Sequence, residues 1–253
     1  MYGIAFDPDV QGKTWCACSR LHDIPHWDFI RNVIGEGAVN ISTDGGKTWS
    51  LPYAYDAPGA LPKWTCCDVV VDPASPVEGR TLYAAMYSID PYTYEHDGIA
   101  EARGNDYGGV WKSTDGGNTW QKKNTGLQTG NLNKHVYRLN LAPSGNLYAM
   151  ITGANTTEGI LDGGIYVSSD GAESWSFVGP HESNLRKWVT SFTFGESEQE
   201  IYCTTVTAWG NSSKGGLHRT LDGGRTWETI FDDAALKACN AEDGVEMTYD
   251  HYM

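Results

Sequence analysis

Several side chains in this sequence have the types and grouping expected of a sugar-binding rim. His22, Asp23, His26 and Trp27 fall within six residues, with Pro25 between them. Tyr92, Tyr94, Glu95, His96 and Asp97 form a second group, followed by Arg103, and Trp188 and Trp209 stand alone further on. Aromatic rings stack on the apolar faces of pyranoses, and carboxylates, imidazoles and guanidinium groups bind sugar hydroxyls. The first group also has the donor types of a metal site in His22, Asp23 and His26, although one loop rarely supplies a full ligand set. In the plainer reading these are solvated loops whose rings pack on the structure beneath. The cysteines, Cys16, Cys18, Cys66, Cys67, Cys203 and Cys239, lack the C-x2-C spacing of zinc knuckles. They are expected as buried or unpaired thiols, or as one disulfide. No metal and no cofactor is expected.

The elements that must hold these groups follow from a repeat. Ser42-Thr43-Asp44-Gly45-Gly46-Lys47-Thr48-Trp49 recurs as Ser113 to Trp120, as the degenerate Ser168-Ser169-Asp170-Gly171-Ala172-Glu173-Ser174-Trp175, and as Thr220 to Trp227. Asp-Gly-Gly supplies the positive φ angles of a tight hairpin turn, the Asp can accept N–H groups within that turn, and the Trp opens the next strand. A repeat of roughly 50 residues with strand–turn–strand texture is a propeller signature. A similar pair of strands precedes each copy: Ile4 to Phe6 then Thr14 to Cys18, Val69 to Val71 then Thr81 to Met86, Tyr137 to Leu141 then Asn146 to Met150, and Ser191 to Phe194 then Ile201 to Thr204. A third strand enters each turn and the Trp-bearing segment is a fourth. The expected fold is therefore all-β, a β-propeller of four-stranded antiparallel blades. Four blades are expected over residues 1–230, at about 3–52, 68–124, 136–179 and 189–230, with an acidic terminal segment over 231–253. The 30 glycines, 10 tryptophans and 14 tyrosines fit this class.

The repeated turn resembles the Asp-box, or BNR repeat, of sialidases, of xyloglucan-active endoglucanases of glycoside hydrolase family 74, of sortilin-type receptors and of a photosystem II assembly factor. The enzymes among these have six or seven blades, so the resemblance implies a segment of a larger propeller, with no closed ring of four. It also implies that the boxes are structural and that ligands bind on the opposite face. Family 74 enzymes carry a catalytic Asp soon after the second strand of an early blade, and Asp23-Ile24, following Cys16-Ala17-Cys18, is the nearest match. Two extra residues intervene, and Pro25-His26 stands where the family has two glycines. The family's second Asp lies in another propeller domain and has no match here. With Asp23 as one carboxylate, Glu95 or Asp97 is the expected partner, because both loops leave second strands of adjacent blades. The residues expected to bind substrate are His22, His26, Trp27, Tyr92, Tyr94, His96, Arg103, Trp188 and Trp209. The function implied is a carbohydrate-active propeller, a glycoside hydrolase acting on a polysaccharide or oligosaccharide. The other reading is a non-catalytic module that binds a glycan or a protein.

The net charge of −14 argues against nucleic acid, whose phosphates call for a basic face, and against an anionic membrane surface. No apolar stretch approaches the roughly 20 residues of a transmembrane helix. The opening residues MYGIAFDPDV lack the basic and apolar regions of a signal peptide. The expected location, extracellular or periplasmic, follows from the carbohydrate reading.

Overall fold

The computed structural model describes residues 3–18, 38–53, 57–62, 66–86, 108–127, 136–151, 154–156, 159–161, 163–182, 185, 189–205, 215–232, 235 and 238. Four antiparallel sheets follow one another along the chain. The first comprises β1 (Ile4–Phe6), β2 (Thr14–Cys18) and β3 (Ala38–Ser42). The second comprises β4 (Cys66–Val71), β5 (Leu82–Met86), β6 (Gly109–Ser113) and β7 (Gln121–Lys122). The third uses β8 (Val136–Leu141), β9 (Leu147–Ile151), β12 (Gly164–Ser168) and β13 (Ser176–Gly179). The fourth uses β14 (Val189–Phe194), β15 (Ile201–Thr205), β16 (Gly216–Thr220) and β17 (Glu228–Asp232). In the first sheet the expected fourth strand shrinks to one bridge between Ile41 and Ser50, so that sheet has three strands. Between β9 and β12, β10 (Ala154–Thr156) and β11 (Gly159–Leu161) pair as a hairpin.

The middle strands explain the stacking. In β5, Leu82, Ala84 and Met86 join the apolar cluster shared with the first sheet, while Tyr83 and Ala85 join the cluster shared with the third. In β9, Leu147, Ala149 and Ile151 face the second sheet, and Tyr148 and Met150 face the fourth. Successive side chains of a strand point to opposite faces, so a strand buried on both faces needs an unbroken apolar run. LYAAM and LYAMI are such runs, buried at every position. Three apolar clusters thus cement three junctions, first to second, second to third and third to fourth.

The innermost strands show where this stacking stops. Val69 and Val71 pack on the first sheet, Leu139 and Leu141 on the second, and Phe192 and Phe194 on the third. The corresponding Ile4 and Phe6 of β1 are 49% and 66% exposed. Trp120 and Trp175 are 3% and 5% exposed, whereas Trp49, in the first turn, is 38% exposed. Among the described residues β1 pairs only with β2, and no apolar cluster joins the fourth sheet to the first. The four sheets stack one on the next in chain order as an arc.

Each repeated turn is built identically. Asp44 Oδ1 accepts the Thr48 N–H at 2.9 Å and the Ser42 hydroxyl at 2.9 Å, while Oδ2 accepts the Thr48 hydroxyl at 2.6 Å. Asp115, Asp170 and Asp222 repeat these contacts. The Thr48 side chain and N–H, with Ser42, hold the Asp44 carboxyl at about 2. In the degenerate third turn Ala172 takes φ 72°, in the left-handed region occupied elsewhere by Gly46, Gly117 and Gly224. The hydroxyl that opens each turn is buried and accepts a second bond, as in Gly117 N–H to Ser113 Oγ at 2.9 Å. Removing that acceptor strands a buried donor. Ser113→Ala is therefore expected to cost about 1–3 kcal/mol in a urea titration without altering ligand binding. A loss of binding at full stability would overturn this structural assignment.

Candidate functional site

The turns define one face of the arc. Gly45 N–H donates to Gly12 O, in the connection between β1 and β2, at 3.0 Å. Gly116 N–H donates to Arg80 O, just before β5, and Gly223 N–H to Gln199 O, between β14 and β15. The connections from first to second strands therefore share the face of the turns. The far ends of the strands lie on the opposite face: Cys18 and Ala38, Met86 and Gly109, Ile151 and Gly164, Thr205 and Gly216.

All the site residues expected from sequence fall outside the described residues: Asp23, Glu95 and Asp97, and His22, His26, Trp27, Tyr92, Tyr94, His96, Arg103, Trp188 and Trp209. Their stems are described. Segment 19–37 leaves β2 at Cys18, and segment 87–108 leaves β5 at Met86 and reaches β6 at Gly109. Met86 pairs with Cys66 in the ladder, and both pack in one apolar cluster with Ala17 of β2 and Val39 of β3. The two stems therefore adjoin at the junction of the first two sheets, on the face opposite the turns.

Around these stems the structure holds polar groups that sequence reasoning missed. Asp68, at an irregularity in the pairing of β4 with β5, accepts the Val69 N–H on Oδ1 at 2.9 Å and the Leu139 N–H on Oδ2 at 3.0 Å. It staples the innermost strands of the second and third sheets. Burial raises its pKa, against the pull of those two N–H groups and of Arg138. Gly3 is required beside it, since a Cβ there would stand 2.2 Å from Asp68 Oδ1. Both carboxylate oxygens are occupied by main-chain donors, so Asp68 positions strands.

His218 is fully buried in β16 between two hydroxyls: Thr205 Oγ1 lies 2.8 Å from Nε2 and Thr229 Oγ1 lies 3.0 Å from Nδ1. A neutral imidazole, donating with one nitrogen and accepting with the other, satisfies both. Burial lowers its pKa, while Glu182 and Asp232 pull the other way. A depressed folded-state pKa means that the unfolded chain binds the proton more readily. The resulting stability is present above the ordinary histidine value of about 6.5 and is lost as pH falls below it. Thermal melts of the wild type between pH 7.5 and 5.5 are expected to drop further than those of His218→Gln. Equal drops would remove His218 as the cause.

Among the described residues Cys16, Cys18, Cys66, Cys67 and Cys203 form no disulfide, and Cys239 lies outside the described residues. Among the described residues no group of three or more His, Cys, Asp or Glu side chains could hold a metal ion. Nor, among them, is any helix long and apolar enough to cross a membrane.

Neither a protein-family model nor a curated relative matches the sequence. Solved structures do match by shape. The GH74 enzyme of Niastella koreensis superposes with a TM-score of 0.58 at 20% identity, over 91% of this chain and 29% of the enzyme. An ancestral GH74 enzyme superposes with a TM-score of 0.56 at 21% identity, over 91% of this chain and 27% of its own. The chain is a segment of a β-propeller. The segment spans under a third of the length of either enzyme, and at these identities the likeness carries the fold alone.

Proposed function

We propose that this propeller segment belongs to a carbohydrate-active protein, a glycoside hydrolase that cleaves a polysaccharide with a pair of carboxylates on the face opposite the repeated turns. The observation that supports this most is the meeting of the stems of segments 19–37 and 87–108 at one junction. Those segments carry Asp23 and the Glu95–Asp97 group. In this reading Asp23 is one carboxylate and Glu95 or Asp97 the other. His22, His26, Trp27, Tyr92, Tyr94, His96 and Arg103 hold sugar rings, and Trp188 and Trp209 extend the rim. Two carboxyls about 5–5.5 Å apart would give retention of anomeric configuration, and about 6.5–9.5 Å inversion. The structural neighbours, both GH74 enzymes, support a carbohydrate substrate. An extracellular or periplasmic location follows from such a substrate.

The test is a depolymerisation screen of the purified chain on soluble plant and microbial polysaccharides, xyloglucan included, read by reducing-end release and by chain length. Release of oligosaccharides is the expected result. Retardation on a polysaccharide gel without any release would replace hydrolysis with the binding-module reading. Neither release nor retardation across the panel would overturn both the hydrolase and the glycan-binding readings.

A further inference from the structure

Cys16 and Cys18 stand two residues apart on β2, so their side chains share one face. Their sulfurs lie 3.9 Å apart. Cys16 is buried, at 1% exposure, and Cys18 is half-buried, beside the stem of segment 19–37. Either thiol can donate its S–H to the other across this gap. The third nearby thiol, Cys66, is fully buried and donates to the Asp68 carbonyl at 3.4 Å.

We propose that Cys16 and Cys18 form a two-thiolate site for a soft monovalent cation, copper(I). Thiolates select soft ions, and copper(I) does not require the four protein donors of a structural zinc site. With thiolate–metal bonds of about 2.3 Å, sulfurs 3.9 Å apart subtend roughly 115° at the metal, a bent arrangement that leaves a third position on the ion to a solvent or chelator donor. The ion enters past the half-buried Cys18 and is closed in by Cys16. Two copper–sulfur bonds form as acetonitrile leaves the ion, and the S–H protons of Cys16 and Cys18 pass to solvent. Copper stays in the +1 state throughout, so no oxidant or reductant takes part.

The experiment delivers copper(I), as its acetonitrile complex, to the full chain under anaerobic conditions and competes it with bicinchoninate. The wild type is expected to retain one copper(I) per chain. Cys18→Ser and Cys16→Ser are each expected to lose it at the same chelator concentration, while Cys66→Ser, Cys67→Ser and Cys203→Ser keep it. Failure of the wild type to retain copper(I), or equal retention by Cys18→Ser, overturns the proposal. Should Cys16→Ser fail to fold, Cys18→Ser decides alone, because Cys18 is only half-buried and serine nearly matches it in size. The outcome is independent of polysaccharide cleavage.

Discussion

Replacing Asp7 with alanine is expected to destabilise the protein by about 3–5 kcal/mol, the largest stability effect of any single change considered. Asp7 lies in the connection from β1 to β2, and its carboxylate is buried against Arg80, whose side chain is 1% exposed. The guanidinium donates Nη2–H to Asp7 Oδ1 at 2.9 Å, and its Nε–H is shared between both Asp7 oxygens at 3.3 and 3.2 Å. Arg80 also donates to the Ser75 and Pro73 carbonyls and to Asp9. Asp7 accepts the Asp9 and Val10 N–H groups at 3.0 and 3.2 Å, and Lys13 approaches at 3.5 Å. One ion pair thus ties the first sheet to the second beneath the turns. Removing its buried anion leaves a buried guanidinium with only the half-exposed Asp9 as counter-charge, which is the costly way to break such a pair. A loss below about 1 kcal/mol by urea titration would show that the site relaxes to admit water.

The same pair sets an acid limit. Burial works to raise the Asp7 pKa, but the Arg80 hydrogen bond, the Asp9 N–H and the charges of Arg80 and Lys13 outweigh it and hold the carboxyl at about 2. An unfolded aspartate titrates near 3.9. The folded value is depressed, so this contribution is complete above about pH 4 and is lost as pH falls from there through about 2. The Asp7→Ala variant is expected to show a shallower loss of stability over that interval than the wild type.

The sequence showed the turns because they are local. Ser42, Asp44, Thr48 and Trp49 meet within a few residues, and their spacing is the geometry. The β-strands before each turn were legible from their apolar runs. Asp7 and Arg80, in contrast, are 73 residues apart, and no spacing rule joins them. The same holds for Asp68 with Leu139 and for Tyr148 with Glu198, which clasps the third sheet to the fourth at 3.0 Å. His218 reads in sequence as an ordinary strand residue, and only the ladder brings it between Thr205 and Thr229. The missing fourth strand of the first sheet has a visible physical reason. Trp120 and Trp175 each form a main-chain bond to the segment ending the preceding sheet, Trp120 N–H to Gly59 O and Trp175 N–H to Thr125 O. Trp49 follows no earlier sheet in this chain, and its ring, bonded to Gly46 O at 3.0 Å, stays half out in solvent.

For the proposed hydrolysis, Asp23→Asn is expected to lower kcat by about 10²- to 10⁴-fold, the contribution of a positioned acid or base, while leaving polysaccharide retardation unchanged. The stems argue for Asp23 over other carboxylates. It follows Cys18 by five residues, where β2 ends on the face opposite the turns. Described carboxylates near that junction are already committed, Asp68 to two main-chain N–H groups. On the other face, Asp7 is committed to Arg80 and the turn aspartates to their own loops. A carboxylate holding main-chain donors with both oxygens cannot also exchange a proton with a glycosidic oxygen without giving up those bonds. The partner is decided by comparing Glu95→Gln with Asp97→Asn: the catalytic one is expected to match the loss in Asp23→Asn, and the other to change KM at most a few-fold. Because like charges brought together push one pKa up, the acid limb of the pH–rate profile should move when the partner is neutralised. Full activity of Asp23→Asn on a polysaccharide that the wild type cleaves would remove Asp23 from the chemistry while leaving the hydrolase reading intact. Full activity of all three variants would place the reacting carboxylates elsewhere on the propeller.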